Sequence, residues 1–278
     1  MDATAVTAGD AGNERRGTRV DEAIPERGPA AYAAELIGTF MLVLVVSTVV
    51  SLYVTPPVSQ GPGAPVVQPF IDFSVIGLVH VFALFMLIQT LAIVSGAHFN
   101  PAVTVALGAI RQIRWIDAAI YIVCQLAGAV LGAVVVKLLL KDVGNAVNFG
   151  APDVTSRLND SIFKGMVVEA IGTFFLVWAI VGVAVNSRAA KNWAGLVIGG
   201  TLGLMVMLFA PLTGGSFNPA RAFGPALVAG KGAWHGADQF LIVYCLGPVV
   251  GALLAAAIYH YMFILPGKKG AEGLGPVG

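Results

Sequence analysis

Charge is what this 278-residue chain has least of: aspartate, glutamate, lysine and arginine make up 11% of it. Soluble domains carry roughly 25%, so most of this surface is solvated by something other than water. A net charge of +1 provides no field to attract a nucleic acid, and none is expected as a partner. Cysteine is nearly absent. Cys124 and Cys245 both fall inside apolar runs and read as small core residues, not as a disulfide or metal site. No nucleophile–base pair and no cluster of metal ligands recurs in those runs, which leaves an enzyme, a resident metal or a cofactor without support. The first 30 residues, with Arg15, Arg16, Arg19 and Arg27, hold no apolar core long enough for a secretory signal. They read as a solvated cytoplasmic tail.

What the chain has is apolar length. Hydrophobic residues make up 57% of it and its mean hydropathy is +0.84. Six runs, at 31–54, 70–94, 115–140, 163–185, 193–210 and 239–265, are long enough to cross a hydrocarbon core of roughly 30 Å as helices. Two shorter runs, 102–110 and 218–228, cover half that distance. The stretches 55–68, 141–161 and 211–217 read as loops, His235 as a solvated loop residue, and 266–278 as a Gly-rich cytoplasmic tail.

Each short run opens on the same triplet. Asn100-Pro101-Ala102 follows Ser95-Gly96-Ala97-His98-Phe99, and Asn218-Pro219-Ala220-Arg221 follows Gly214-Gly215-Ser216-Phe217. One such triplet is an ordinary helix start, but two in matched contexts mark a duplicated unit. Glu35-Leu-Ile-Gly38-Thr39-Phe40 returns as Glu169-Ala-Ile-Gly172-Thr173-Phe174, and Gly128-x-x-x-Gly132 pairs with Gly247-x-x-x-Gly251. Three crossings per half is an odd number. The halves, about 31–140 and 162–265, therefore enter the membrane from opposite sides, as an inverted repeat. Ten lysines and arginines fall on the side of the termini and five on the other, Arg221 being set aside. That excess places both termini in the cytoplasm.

A helix that stops at mid-membrane leaves N–H groups unpaired, which is tolerated only where the backbone lines a water-filled cavity or is buried in protein. Two half-helices meeting head to head aim both positive ends at one spot. Asn100 and Asn218 sit there. Their carbonyl oxygens can cap the helices while their amides donate into the cavity and orient a water so that it passes no proton. The carbonyls of Gly96, Ala97, His98 and Phe99, and of Gly214, Gly215, Ser216 and Phe217, would form a ladder of acceptors for a single file. Arg221, one turn on, suits a cation-repelling donor at the outer mouth, the alternative being a snorkelling surface arginine. Glu35 and Glu169 suit scaffold acceptors for the N–H groups of the two loops, with a proton relay as the rival reading. His80 is either a satisfied core histidine or a functional intramembrane group. His98 lines the passage by its carbonyl or gates it by its ring.

These two turns resemble the signature turns of the aquaporin (major intrinsic protein) family, and the resemblance extends over about 31–265. It implies six transmembrane helices, two re-entrant half-helices and a homotetramer in the cell membrane with one pore per subunit. It also implies a narrow filter at His80, Val206, Gly215 and Arg221. That set looks more like the plant tonoplast intrinsic proteins than orthodox water channels, which implies a somewhat wide constriction and ammonia as a second solute. Glycerol channels usually carry Asp where this chain has Ala222 and bulky aromatics where it has His80 and Gly215. Cys245 stands where water-selective members usually have an aromatic. The expected function is a passive water channel that excludes protons and ions. The alternatives are a channel mainly for small uncharged solutes such as ammonia or glycerol, and an ion-coupled transporter built on the inverted repeat.

Overall fold

The computed structural model describes residues 24–54, 72–230 and 236–266. The expected loop over 55–68, His235 and most of both expected tails lie outside these residues. The fold is all-helical. Its crossings are α1 (Pro29–Tyr53), α2 (Phe73–Ser95), α4 (Trp115–Leu139), α6 (Ile162–Val185), α7 (Ala194–Thr213) and α9 (Ala237–Ile264). The half-helices are α3 (Pro101–Ala109) and α8 (Pro219–Ala229), and α5 (Lys141–Asn145) is a short turn beyond α4. All six long helices are apolar enough to span a membrane.

Their packing is that of a protein in lipid. Large apolar side chains such as Phe82, Ile93, Leu138 and Phe163 face outward, while Glu35, Thr39, Gln125, Glu169 and Thr173 are fully buried. Lipid tails solvate leucine as well as a core does, so helix association depends on small residues that let backbones approach. Gly128 and Gly132 sit against the Leu36 and Phe40 carbonyls of α1, and Gly247 and Gly251 against the Met166 and Ala170 carbonyls of α6.

These contacts shift the repeat by one turn from the register read in the sequence. Leu36 and Ala170 each follow a repeat glutamate, and the glycines touching them are Gly128 and Gly251. The hydroxyls of Tyr121 and Tyr244 confirm the register, donating to the last carbonyls of α2 and α7, Ser95 O at 2.8 Å and Thr213 O at 2.9 Å. Gly128 thus corresponds to Gly251, not Gly247. A small-x-x-x-small motif continues along a helix face, so motif matching alone leaves the turn undefined.

Three further expectations change. Pro211 lies inside α7, not in the following loop. Proline removes one N–H from the last turn, but Thr155 pins that turn from outside through Pro211 O (3.0 Å) and Leu212 O (2.9 Å), and α7 runs on to a left-handed Gly214. The stretch 141–161 contains α5 and two 3-10 turns, Asn148–Gly150 and Ser156–Leu158, and folds back toward the passage. Residues 24–28 are tied to the channel by hydrogen bonds and an ion pair although they remain largely exposed. The Arg27 backbone N–H approaches Asp117 Oδ2 at 3.4 Å, Tyr32 Oη donates to Asp117 Oδ1 at 2.7 Å and lies 2.9 Å from Arg27 O, and Glu26 pairs with Arg114 at 3.0 Å. Hydrogen bonds to Asp117 and then Glu26 raise the Arg114 pKa above its ordinary value.

Candidate functional site

Two buried glutamates shape the re-entrant loops. Glu35 Oε1 accepts from Ser95 Oγ (2.7 Å) and His98 N (2.9 Å), and its Oε2 from Phe99 N (2.7 Å) and Gln125 Nε2 (2.8 Å). Glu169 Oε1 accepts from Thr213 Oγ1 (2.7 Å) and Ser216 N (3.0 Å), and its Oε2 from Phe217 N (2.6 Å). Every partner is a donor, which suits an ionised, acceptor-only carboxylate. These contacts fit the scaffold role of both side chains.

The glutamates hold backbone that the loops would not adopt alone. Gly96, Ala97 and Phe99 have positive φ, and so do their counterparts Gly214, Gly215 and Phe217. Each non-glycine case costs of order 1–3 kcal/mol. Turning peptide planes in this way lets successive carbonyls face one side. The rings of Phe99 and Phe217 seal the loops from behind, lying where a side chain on Gly38 or Gly172 would have to go.

The asparagines cross-link the halves. Asn100 Oδ1 caps its own helix at Ala102 N (2.9 Å), and its Nδ2 donates to Phe217 O across the midplane (2.8 Å). Asn218 mirrors it, capping Ala220 N (3.0 Å) and Arg221 N (3.2 Å) and donating to Phe99 O (2.8 Å). Each amide therefore has one N–H, not two, left for the cavity. Phe99 and Phe217 are fully buried and their carbonyls are already engaged. They tie the loops together, and each of these carbonyls keeps a second lone pair.

A cavity of about 380 Å³ runs past both asparagines. Gly96, Ala97, His98, Asn100, Ser216 and Asn218 give it a polar strip, faced by Leu42, Val46, Leu84, Ile88, Leu176 and Leu202. A second cavity of about 180 Å³ is bordered by Phe73, Gly150, Pro152, Asp153, Thr155 and Gly214. His80 and Arg221 are the two residues that border both cavities. His80 Nδ1 meets Ile76 O at 2.7 Å, and its Nε2 is buried without a partner among the described residues. Arg221 Nη1 donates to Gly150 O at 2.7 Å, and its Nε likewise has no partner among the described residues. Of the other two expected filter residues, Val206 is buried in the apolar core and Gly215 lies against Ala210.

The His98 ring does more than its carbonyl. Its Nδ1 meets Thr104 Oγ1 at 3.1 Å, and Gln125 Nε2 reaches the same hydroxyl at 2.9 Å. The sequence reading missed Gln125, Tyr121, Tyr244, Gly150 and Lys191. A glutamine or tyrosine in a lipid-spanning run was a usable signal, since a polar group there needs a partner. Gly150 acts only through its carbonyl and left none.

This architecture defines a membrane channel: a closed helical bundle around one passage, crossed at the midplane by two half-helix ends. The major intrinsic protein family model matches residues 28–259, and the chain belongs to that family of passive channels. It is 36% identical over 239 residues to an aquaporin of Methanothermobacter marburgensis, covering 82% of this chain and 95% of that one. It is 38% identical over 229 residues to a glycerol uptake facilitator-like protein of Lactiplantibacillus plantarum, covering 81% and 94%. The solved aquaglyceroporin of Plasmodium falciparum shares the fold, with a TM-score of 0.68 at 23% identity over 85% of this chain and 97% of that one.

Proposed function

We propose that this chain conducts water in single file while excluding protons and ions, and admits ammonia as a second solute. The crossed asparagines carry this reading. Each keeps one N–H for the passage while its orientation is locked by a helix cap on one side and an opposing carbonyl on the other. A water held by two such donors turns both lone pairs to the protein and offers no acceptor to the next proton in the file. Arg221 adds a fixed charge at the narrow point. His80, Val206, Gly215 and Arg221 form the filter in this reading, with Val206 and Gly215 supplying room and not contacts. The assembly is a homotetramer in the cell membrane, with both termini cytoplasmic.

A second reading, a channel mainly for small uncharged solutes such as glycerol, draws on the apolar wall of the main cavity, against which a carbon chain could lie while its hydroxyls meet the polar strip. The glycerol facilitator-like relative adds to it. Stopped-flow shrinkage of proteoliposomes under sucrose, then under glycerol, with an internal pH dye for ammonia, separates the two. Fast water flux with slow glycerol entry supports the first. Glycerol entry with water flux no greater than that of empty vesicles reverses the order.

A further inference from the structure

Lys191 lines the main cavity at the face where α6 ends and α7 begins, the end away from Arg221. Its ammonium is fixed there. Nζ donates to Ala184 O at 2.6 Å and to Asn186 O at 2.9 Å, at the carbonyl end of α6. Unpaired carbonyls and the negative end of the helix dipole favour a cation at that point. Two of its three N–H groups are engaged, and the third and the charge remain at the cavity mouth. The loop that carries it is itself pinned. Asn186 Oδ1 accepts from Arg188 N at 3.0 Å, and Arg188 Nη2 donates to Phe263 O at 3.0 Å.

A second cation stands beside the same end. Arg27 Nη2 comes within 4.0 Å of the point where a side chain on Gly96 would begin, and Gly96 and His98 line the cavity. Asp117 and Glu26 both pair with Arg114 and together offset the charge of the two arginines, so Arg27 has a minor part and Lys191 the main one. Arg27 Nε has no partner among the described residues.

We propose that Lys191, assisted by Arg27, is a second charge barrier of the passage. It forms a cationic collar that turns back potassium and ammonium-type cations arriving from the terminal face before they reach the asparagines. Arg221 acts on those arriving from the opposite face. The proposal rests on the reading of the cavity as the conducting path. Water and ammonia pass the collar without penalty, and an ammonium ion leaves its proton in the bulk before entering as ammonia. Because Lys191 is exposed to solvent, its field weakens as ionic strength rises.

The test uses the full chain in oriented planar bilayers, with water permeability measured in parallel on proteoliposomes. Arg221→Val removes the barrier at the far end. On that background Lys191→Glu is expected to raise the methylammonium and potassium current from the terminal face by about fivefold or more at low salt. The increase should shrink in concentrated salt. Lys191→Arg should stay close to the parent, which a hydrogen-bonding role for the lysine alone would not distinguish from Lys191→Gln but a charge role does. Water permeability of each Lys191 variant should match that of its Arg221→Val parent, the reference for every comparison. A current in the Lys191→Glu double variant no larger than in Arg221→Val alone would overturn the collar while leaving the passage intact. Water permeability of the wild type no greater than that of empty vesicles would overturn the passage, and the collar with it.

Discussion

Around the loop at 95–99, Glu35 gathers four donors, and Gln125, Thr104 and His98 continue the network behind it. Around the loop at 213–217, Glu169 gathers three. In the register set by Tyr121 and Tyr244 the place of Gln125 is taken by Pro248, and in the register of the two Asn-Pro-Ala triplets Thr104 and His98 are replaced by Ala222 and Ser216. Proline has no N–H and alanine no hydroxyl, so the second loop loses that inner network. It gains Arg221 where the first half has Val103, and both residues line the main cavity. What both halves keep is what bends the backbone: a glutamate, a glycine behind a phenylalanine ring, and a tyrosine on the last carbonyl of the preceding helix. What only one half keeps distinguishes the two ends of the passage. The difference separates the residues that build a half-helix entry from those that decide what passes.

The largest effects are expected where the halves agree. Glu35→Ala and Glu169→Ala each leave several buried donors unpaired and should cost about 3–5 kcal/mol, read as thermal unfolding in detergent. Glu35→Ala should cost the more, since it abandons four donors and not three. A larger loss for Glu169→Ala would break the comparison. Gly38→Ala and Gly172→Ala should each cost about 1–3 kcal/mol by driving a methyl into the ring of Phe99 or Phe217. Here the two halves should match, and a cost confined to one of them would show that its loop can move aside.

Smaller effects sharpen the contrast. Gln125→Leu should cost about 1–2 kcal/mol, and the excess cost of Glu35→Ala over Glu169→Ala should disappear on that background. Additive costs would place the glutamine outside the loop scaffold. The smallest effect belongs to the terminal face. Glu26→Gln should change stability by about 0–1 kcal/mol and only at low salt, because its pair with Arg114 is exposed.

Most of the architecture was legible because lipid imposes it. Six apolar runs, two half-length runs and a repeated triplet leave few ways to satisfy a backbone in hydrocarbon, and helix ends fell within a few residues of those read. Pro211 misled because its effect on α7 depends on Thr155, far away in sequence. The glycine pairs misled by one turn because they repeat along a helix face. Glu35, Glu169, Asn100, Asn218 and Arg221 stood out as polar residues in apolar runs, and the structure brings them together at the two loops. The spare N–H of each asparagine was not countable, since the acceptor of the other lies in the opposite half. Gly150 and Lys191 were beyond sequence reasoning for a related reason: one acts through a carbonyl and the other through its position at a loop mouth.

The account turns on His80 and Arg221, which border both cavities and form the proposed narrow point. The most direct test is the ratio of glycerol to water permeability of His80→Ala against wild type, in the same proteoliposome preparation. Removing the ring should raise glycerol entry several-fold, about 1 kcal/mol off its barrier, with water flux equal or greater. An unchanged ratio, with both fluxes well above empty vesicles, would mean that the constriction lies elsewhere and would contradict the account.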